Sequence, residues 1–317
     1  MPTYNDIISR SENGAVELPE NVARDVIKAA ESKSVISQLA TKVPMESLVT
    51  RQAQLSGLPS AYFVNGDTGL KTATKVNFKG VELHAEPIAA LVVIPDDFQA
   101  DSFVNLSAQA LELVSEAIAR AIDNAALWGV NKPSTWGPSL YSHAVGAGNY
   151  IDYDDTKDFA FNAAEVSRKV AQDGFKPTAY ATEPNLRWEM LGERDANGAP
   201  IFTNLAGENY EGLALHGIPA IEGDPGAWKT DVRLISGEWK HALLGVRQDV
   251  TMTMHKDGVI IDEDGKALFS AMQQDAQIMR VVTRVAWNIS NPTTTANSVE
   301  GARSPFALLT NAGTAGS

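Results

Sequence analysis

Ser102 to Tyr141 reads SFVNLSAQALELVSEAIARAIDNAALWGVNKPSTWGPSLY, and what this stretch builds decides the fold. Leu106, Ala110, Leu113, Ala117, Ala121 and Ala125 recur at spacings of three and four, with Val114, Ile118 and Ile122 alongside. That is the period of an α-helix. Asp101 or Ser102 can cap its start and Gly129 can stop it, which predicts one helix of about seven turns. Glu116 and Arg120 stand one turn apart and can pair. The helix carries little chemistry: Ala119 to Gly129, ARAIDNAALWG, has only Arg120 and Asp123 as charges and no nucleophile. Its alanine-rich face instead lets another element approach closely. Pro133, Trp136, Gly137 and Pro138 then follow in quick succession and mark a loop.

Upstream, the chain to about Val43 reads as an arm. Pro19 and Glu20 open a helical pattern with Val22, Val26, Ile27 and Ala30 on one face, and a second apolar set follows at Val35, Ile36 and Leu39. LVTRQAQL (48–55) and SAYFV (60–64) read as short strands, separated from the next segment by the turn signal NGDTG (65–69). KTATKVNFKGVELHAEPIAALVVI (71–94) resumes a strand-like pattern. Thr72, Thr74, Val76 and Phe78 alternate with Ala73, Lys75, Asn77 and Lys79. This predicts a two-faced ribbon. Two strands alone are marginal in water, so the ribbon needs another surface, which a neighbouring chain can supply.

Downstream, helices and strands alternate. Phe159, Ala163, Val166 and Val170 form the inner face of a helix ending at Gly174. A strand at KPTAYAT (176–182), a helix in EPNLRWEMLGERDANG (183–198) with a turn at 195–198, and a strand and turn at LHGIPAIEGD (215–224) come next. Residues 231–247 and 250–255 read as β, Lys266 to Gln274 as a short helix, and DAQIMRVVTRVAWNIS (275–290) as a strong strand. The remainder is rich in small polar residues and reads as loose except near Phe306 to Leu309.

Chemistry is sparse. The chain of 317 residues has no cysteine, which excludes disulfides, thiolate metal sites and cysteine nucleophiles. No nucleophile elbow or phosphate loop occurs, and GAGNY (146–150) holds only two glycines of a dinucleotide fingerprint. No two of His84, His143, His216, His241 and His255 share a helical turn. DEDGK (262–266) resembles part of a calcium loop, but with Gly265 at position six Ile260 falls at position one, so it reads as a turn. Asp152, Asp154, Asp155 and Asp158 precede a helix and suit its capping and dipole, with a weak cation site as the alternative. The six tryptophans are scattered and form no platform for bases. A formal charge of −13 opposes general affinity for nucleic acid. The N-terminus has no apolar signal region, and the longest apolar run, IAALVVI (88–94), is too short to cross a bilayer. No local cluster points to catalysis, a cofactor or a metal, and a site assembled from distant residues stays open.

The order of the parts resembles the tailed-bacteriophage major capsid proteins of the HK97 fold. The resemblance rests on Ser102–Tyr141 as a spine helix with its exit loop, PTAYATEPNLRWEMLGERDANGAPIF (177–202), LHGIPAIEGD (215–224), DAQIMRVVTRVAWNISNP (275–292) and SPFALL (304–309). It covers about 48–309. It implies an α+β chain with an N-arm (1–45), an extended two-stranded E-loop (46–90), a peripheral P-domain (91–135 with the spine helix, and β segments at 247–290), an α/β axial A-domain (136–246) and a C-terminal segment (291–317). The implied function is structural and not enzymatic, with no cofactor and no metal: a subunit that self-assembles into hexamers and pentamers of an icosahedral head around double-stranded DNA. The alternatives are an encapsulin-type shell enclosing cargo enzymes and a soluble α/β enzyme with a dispersed acidic site.

The same resemblance implies that contact between subunits runs through Tyr62, Phe63, Asn65, Asp67, Lys71, Lys75 and Phe78 of the E-loop. The implied partners are copies of the same chain, a scaffolding protein, portal, maturation protease or decoration protein, and packaged DNA held without sequence-specific binding. No membrane is involved; the implied location is the virion, assembled in the host cytoplasm. Some relatives join subunits through an E-loop lysine and a P-domain asparagine. Lys71, Lys75 and Lys79 are present here, but ALFSAMQQDAQIM (267–279) has no asparagine and IMRVVTRVAW (278–287) no carboxylate, so no autocatalytic crosslink is expected. The acidic balance is expected to keep enclosed DNA mobile, and the initial methionine to mark an uncleaved chain.

Overall fold

The computed structural model describes residues 34–63, 73–97, 106–192, 194, 198–199, 206–207, 210–262 and 264–311. The helical pattern after Pro19, the Asp101 or Ser102 cap and the turns at 65–69 and 195–197 lie outside the described residues.

The long helix is present as α2 (Leu106–Asp123). It runs on as a π turn (Asn124–Trp128) that ends at Gly129, whose φ of 78° is the left-handed conformation glycine adopts freely. Leu111, Val114, Ile118, Ile122, Ala125, Ala126 and Leu127 are buried. Leu113, Ala117 and Ala121 lie on the opposite, exposed side. The core face thus holds both large and small apolar residues, Ala110 and Ala119 among them, and of the sequence-read stripe Leu113, Ala117 and Ala121 are left open.

Beneath α2 lies a four-stranded sheet of order β1-β11-β14-β4, formed by β1 (Thr41–Pro44), β4 (Glu86–Pro95), β11 (Ala242–His255) and β14 (Ala276–Ile289). Strand periodicity turns Met279, Val281, Val285 and Trp287 of β14 toward the helix, and Ile88, Ala90 and Val92 of β4 pack with them. A short helix, α1 (Val35–Leu39), precedes β1.

A second sheet has seven strands in the order β5-β15-β10-β6-β9-β8-β7. They are β5 (Tyr150–Asp152), β6 (Ala179–Thr182), β7 (Ala206–Gly207), β8 (Tyr210–Leu215), β9 (Ile218–Glu222), β10 (Val232–Gly237) and β15 (Phe306–Thr310). Its central strands are buried on both faces. Ala179, Ala181, Ile235, Phe306 and Leu308 join the core under α2, together with Leu140 and Ala144 of α3 (Leu140–Gly146). Tyr180, Leu234, Ala307 and Leu309 pack instead against Phe159, Ala163, Val166 and Val170 of α4 (Phe159–Gln172), the four residues expected to point inward. Met190 of α5 (Leu186–Gly192) completes that layer. β8 and β9 meet at His216 and Gly217, both at positive φ, as a tight hairpin requires.

Three expectations are corrected. Residues 60–63 form no strand, and the second ribbon strand begins at Asn77, with 73–76 irregular. Lys266 to Gln274 is not a helix: β13 (Ala267–Ser270) pairs with β12 (Val259–Ile261) and a 3₁₀ turn follows at Ala271–Gln273. Burial of Phe269, Ala271 and Ile278 in one small cluster overrides the local helix preference. Nor are residues 291–305 loose. Arg303 is buried and donates to the carbonyl oxygens of Pro292, Ser298 and Asn291, while buried Asp173 accepts from Ser304 N and from the Asn149 and Asn297 side chains. Polar groups buried this way are satisfied through hydrogen bonds rather than apolar packing.

Candidate assembly interface

The ribbon consists of β2 (Val49–Gly57) and β3 (Asn77–His84), antiparallel, with Val49 opposite His84 and Leu55 opposite Phe78. Its root is built into the body. Val81, Leu83 and Ala85 pack with Val43, Met45, Leu243 and Ala286, and Asn288 Nδ2 donates to Glu82 O at 2.7 Å. Its middle lies on the chain's own 290–300 segment. Gln54 Oε1 accepts from Asn291 N, Leu55 O from Thr293 N and Ser56 O from Thr293 Oγ1. Lys79 Nζ and Glu300 are 2.8 Å apart, and this bond holds the Glu300 carboxyl below the usual carboxylate range. The expected need for a foreign surface is thus met internally along this stretch.

The tip differs. Residues 58–63 and 73–80 are exposed throughout. Tyr62 is half out and Phe63 is 106% exposed, with Val76 and Phe78 exposed as well. Of the expected contact residues, Tyr62, Phe63, Lys75 and Phe78 are therefore all solvent-facing on the ribbon; Asn65, Asp67 and Lys71 lie outside the described residues. Solvent-facing aromatics on one projection are the usual mark of a protein-binding surface.

Sequence reading did not find a second feature, at the ribbon's foot. A groove of about 440 Å³ runs beside the exposed face of α2, lined among others by Glu86, Ile88, Ala117, Ala121, Val130 and Trp136. Trp136 is 4% exposed, yet its Nε1–H has no hydrogen-bond partner among the described residues. Arg120 at the rim is shared between Glu116 and Asp224, and Glu86 accepts from Thr135 Oγ1. The alanine period was visible in the sequence; that Trp136 closes one wall was not, because the loop carrying it has no period.

The singled-out polar residues have local roles. Asp154 accepts from Thr156 N and Oγ1 and pairs with Lys157; the Thr156 hydroxyl first, and then Lys157, hold its carboxyl down at about 2. Asp262 Oδ1 accepts from Asp264 N and Lys266 N in the β12–β13 turn. His143 Nδ1 lies 2.9 Å from Ser304 Oγ, and burial pushes its imidazole down to about 4. Among the described residues, no group of three His, Asp or Glu side chains could hold a metal ion. No helix of the described residues is long and apolar enough to cross a membrane.

A family model described as the phage capsid family matches residues 14–294. The chain belongs to the phage capsid family. This capsid chain is 27% identical over 186 residues to the probable major capsid protein gp17 of Mycobacterium phage L5, and likewise 27% over 187 residues to that of Mycobacterium phage D29. Each alignment covers 57% of this chain and 56% of the relative, so the chain spans little more than half the length of the curated relatives it matches. Solved structures match nearly end to end. One from Microbacterium phage Oxtober96 has a TM-score of 0.76 at 27% identity and covers 96% of both chains. One from Mycobacterium phage Adephagia has a TM-score of 0.77 at 24% identity, covering 96% of this chain and 98% of that one. The fold of the capsid chain is HK97-like, and the chain is a structural protein of the phage virion.

Proposed function

We propose that this capsid chain is the major structural subunit of a phage head, assembling through copies of itself into hexamers and pentamers that close into an icosahedral shell around double-stranded DNA. The observation that carries the reading is the tip of the ribbon. A wholly exposed Phe63, half-exposed Tyr62 and exposed Phe78 project from a ribbon whose root and middle are fixed to the body. Burying such side chains between copies releases roughly 1.5–3 kcal/mol each, and a shell repeats the contact many times. In this reading 1–45 is the N-arm, 46–90 the E-loop, 91–135 and 247–290 the P-domain, 136–246 the A-domain and 291–317 the C-terminal segment. Tyr62, Phe63, Asn65, Asp67, Lys71, Lys75 and Phe78 form the contact set. A net charge of −13 leaves enclosed DNA ungripped. Scaffolding, portal, protease and decoration proteins are its proposed partners, and the host cytoplasm its place of assembly. Electron microscopy of the purified protein tests this: shells, tubes or ring-shaped capsomers are expected, and a monodisperse monomer at high concentration overturns it.

A further inference from the structure

We propose that the free edge of β4 is a strand-addition site for an extended segment of another protein, one that alternates acidic and apolar side chains. The inference goes beyond the self-assembly reading and does not depend on it. Three observations carry it.

The first is the edge itself. β4 ends the four-stranded sheet on one side, and its 10 residues pair with β14 from Glu86 to Pro95 without a bulge. Alternate residues of such a strand turn both backbone groups away from their one neighbour. Among the described residues, no backbone group bonds to 87–94 from that side. Sheets usually guard an edge with charges, a bulge or an internal proline. Ile88 to Ile94 reads IAALVVI, uncharged, with Pro87 and Pro95 only at its ends. A long apolar edge left open in this way is a template for one more strand.

The second is charge beside the edge. Arg280 and Arg284 of β14 stand opposite Leu91 and Pro87, on the sheet face turned away from α2. Both are exposed, and among the described residues neither is paired with a carboxylate. An added strand lies two strand spacings from β14, roughly 10 Å. The small Ala89 on the strand between leaves room for glutamate and arginine side chains to meet across it. The third is the opposite face. Side chains of an added strand alternate, so those between the carboxylates turn toward α2. There Ala117 and Ala121 face Ile88 across the groove, and apolar side chains fit. No described strand of this chain carries more than one carboxylate, so the occupant is not one of these strands from a second copy. Main-chain bonds supply the affinity of such an addition, and the two faces supply its selectivity.

The probe is a blocked heptapeptide that alternates glutamate and valine, added to the full-length chain. The expected result is saturable binding with slowed hydrogen exchange at amides of Ile88–Ile94. The same peptide N-methylated throughout keeps its charges but loses every donor, and should not bind; nor should a lysine–valine peptide. Arg280→Gln combined with Arg284→Gln should weaken binding about tenfold, the effect of two exposed ion pairs. That variant should keep the parent's circular dichroism and melting temperature, because both side chains are exposed. A glutamate–valine peptide that fails to bind, binds without slowing exchange at 88–94, or binds the arginine variant as tightly as the parent overturns the proposal. Exchange at 88–94 that is already slowed in particles without peptide assigns the edge to a second copy. Exchange slowed there by double-stranded DNA, and not by the peptide, assigns the face to nucleic acid. Either result also overturns it, and none of these outcomes bears on whether copies of the chain assemble.

Discussion

Asp123 is a carboxylate held almost out of water where the long helix changes pitch. It accepts from Ser34 Oγ at 2.7 Å, Val35 N at 2.9 Å and Ile36 N at 3.1 Å, so a side chain of α2 caps α1. Burial, with a smaller contribution from Asp224, pushes its carboxyl up to about 6 against the pull of those donors. The folded chain therefore keeps a proton at a pH where the unfolded chain has released it. The stability from this group is complete below an unfolded value near 3.8 and is lost as pH rises through about 6. Its full size is up to about 3 kcal/mol. Urea unfolding of Asp123→Asn should show a flatter stability profile between pH 4 and 7 than the parent; an unchanged slope means Asp123 does not titrate there. Gly137 is a second sharp position. A Cβ there would stand 2.0 Å from Asn288 Oδ1 and 3.2 Å from Asn288 Cα. Gly137→Ala should displace the side chain that holds Glu82 O, lower stability by about 1–3 kcal/mol and expose the ribbon root to protease. A melting temperature within a degree of the parent contradicts this.

At the scale of the element, Arg303 organises the bracket on which the ribbon lies. Its three donated bonds reach carbonyls of Asn291, Pro292 and Ser298. Arg303→Ala leaves those acceptors unpaired and should cost about 2–4 kcal/mol; Arg303→Lys recovers only part, because an ammonium lacks the planar fork. Differential protease cleavage near Gly57 checks whether the ribbon loosens with it. The elements also differ in how openly the sequence announced them. α2, α4 and β14 were legible because their apolar residues keep a period, and the inward set Phe159, Ala163, Val166 and Val170 was identified residue by residue. The bracket was not legible, since Asn291, Arg303 and Ser304 are buried by hydrogen bonds that follow no period. β13 was misread because KALFSAMQQ suits a helix until Phe269 pairs with Ile260. The ribbon tip was legible as exposed and aromatic; the groove depends on residues from β4, α2 and the Trp136 loop coming together, which no local pattern encodes.

At the scale of the molecule, residues of both sheets pack into one core under α2. Lys79 is engaged with Glu300 of its own chain, and 267–279 offers no asparagine to a lysine. Mature particles boiled in detergent should therefore run as a single band of monomer size; a ladder of covalent multimers contradicts this.

β15 has a consequence for how the protein is made. All five of its residues are buried, and it lies between β5 and β10, contributing to both layers of the core although it comes last among the described strands. While the nascent polypeptide is still being extended, that slot stays vacant, and the ribosome must release Phe306 to Thr310 before either layer can close. A product terminated before Phe306 would lack the keystone and should be degraded faster than the full chain.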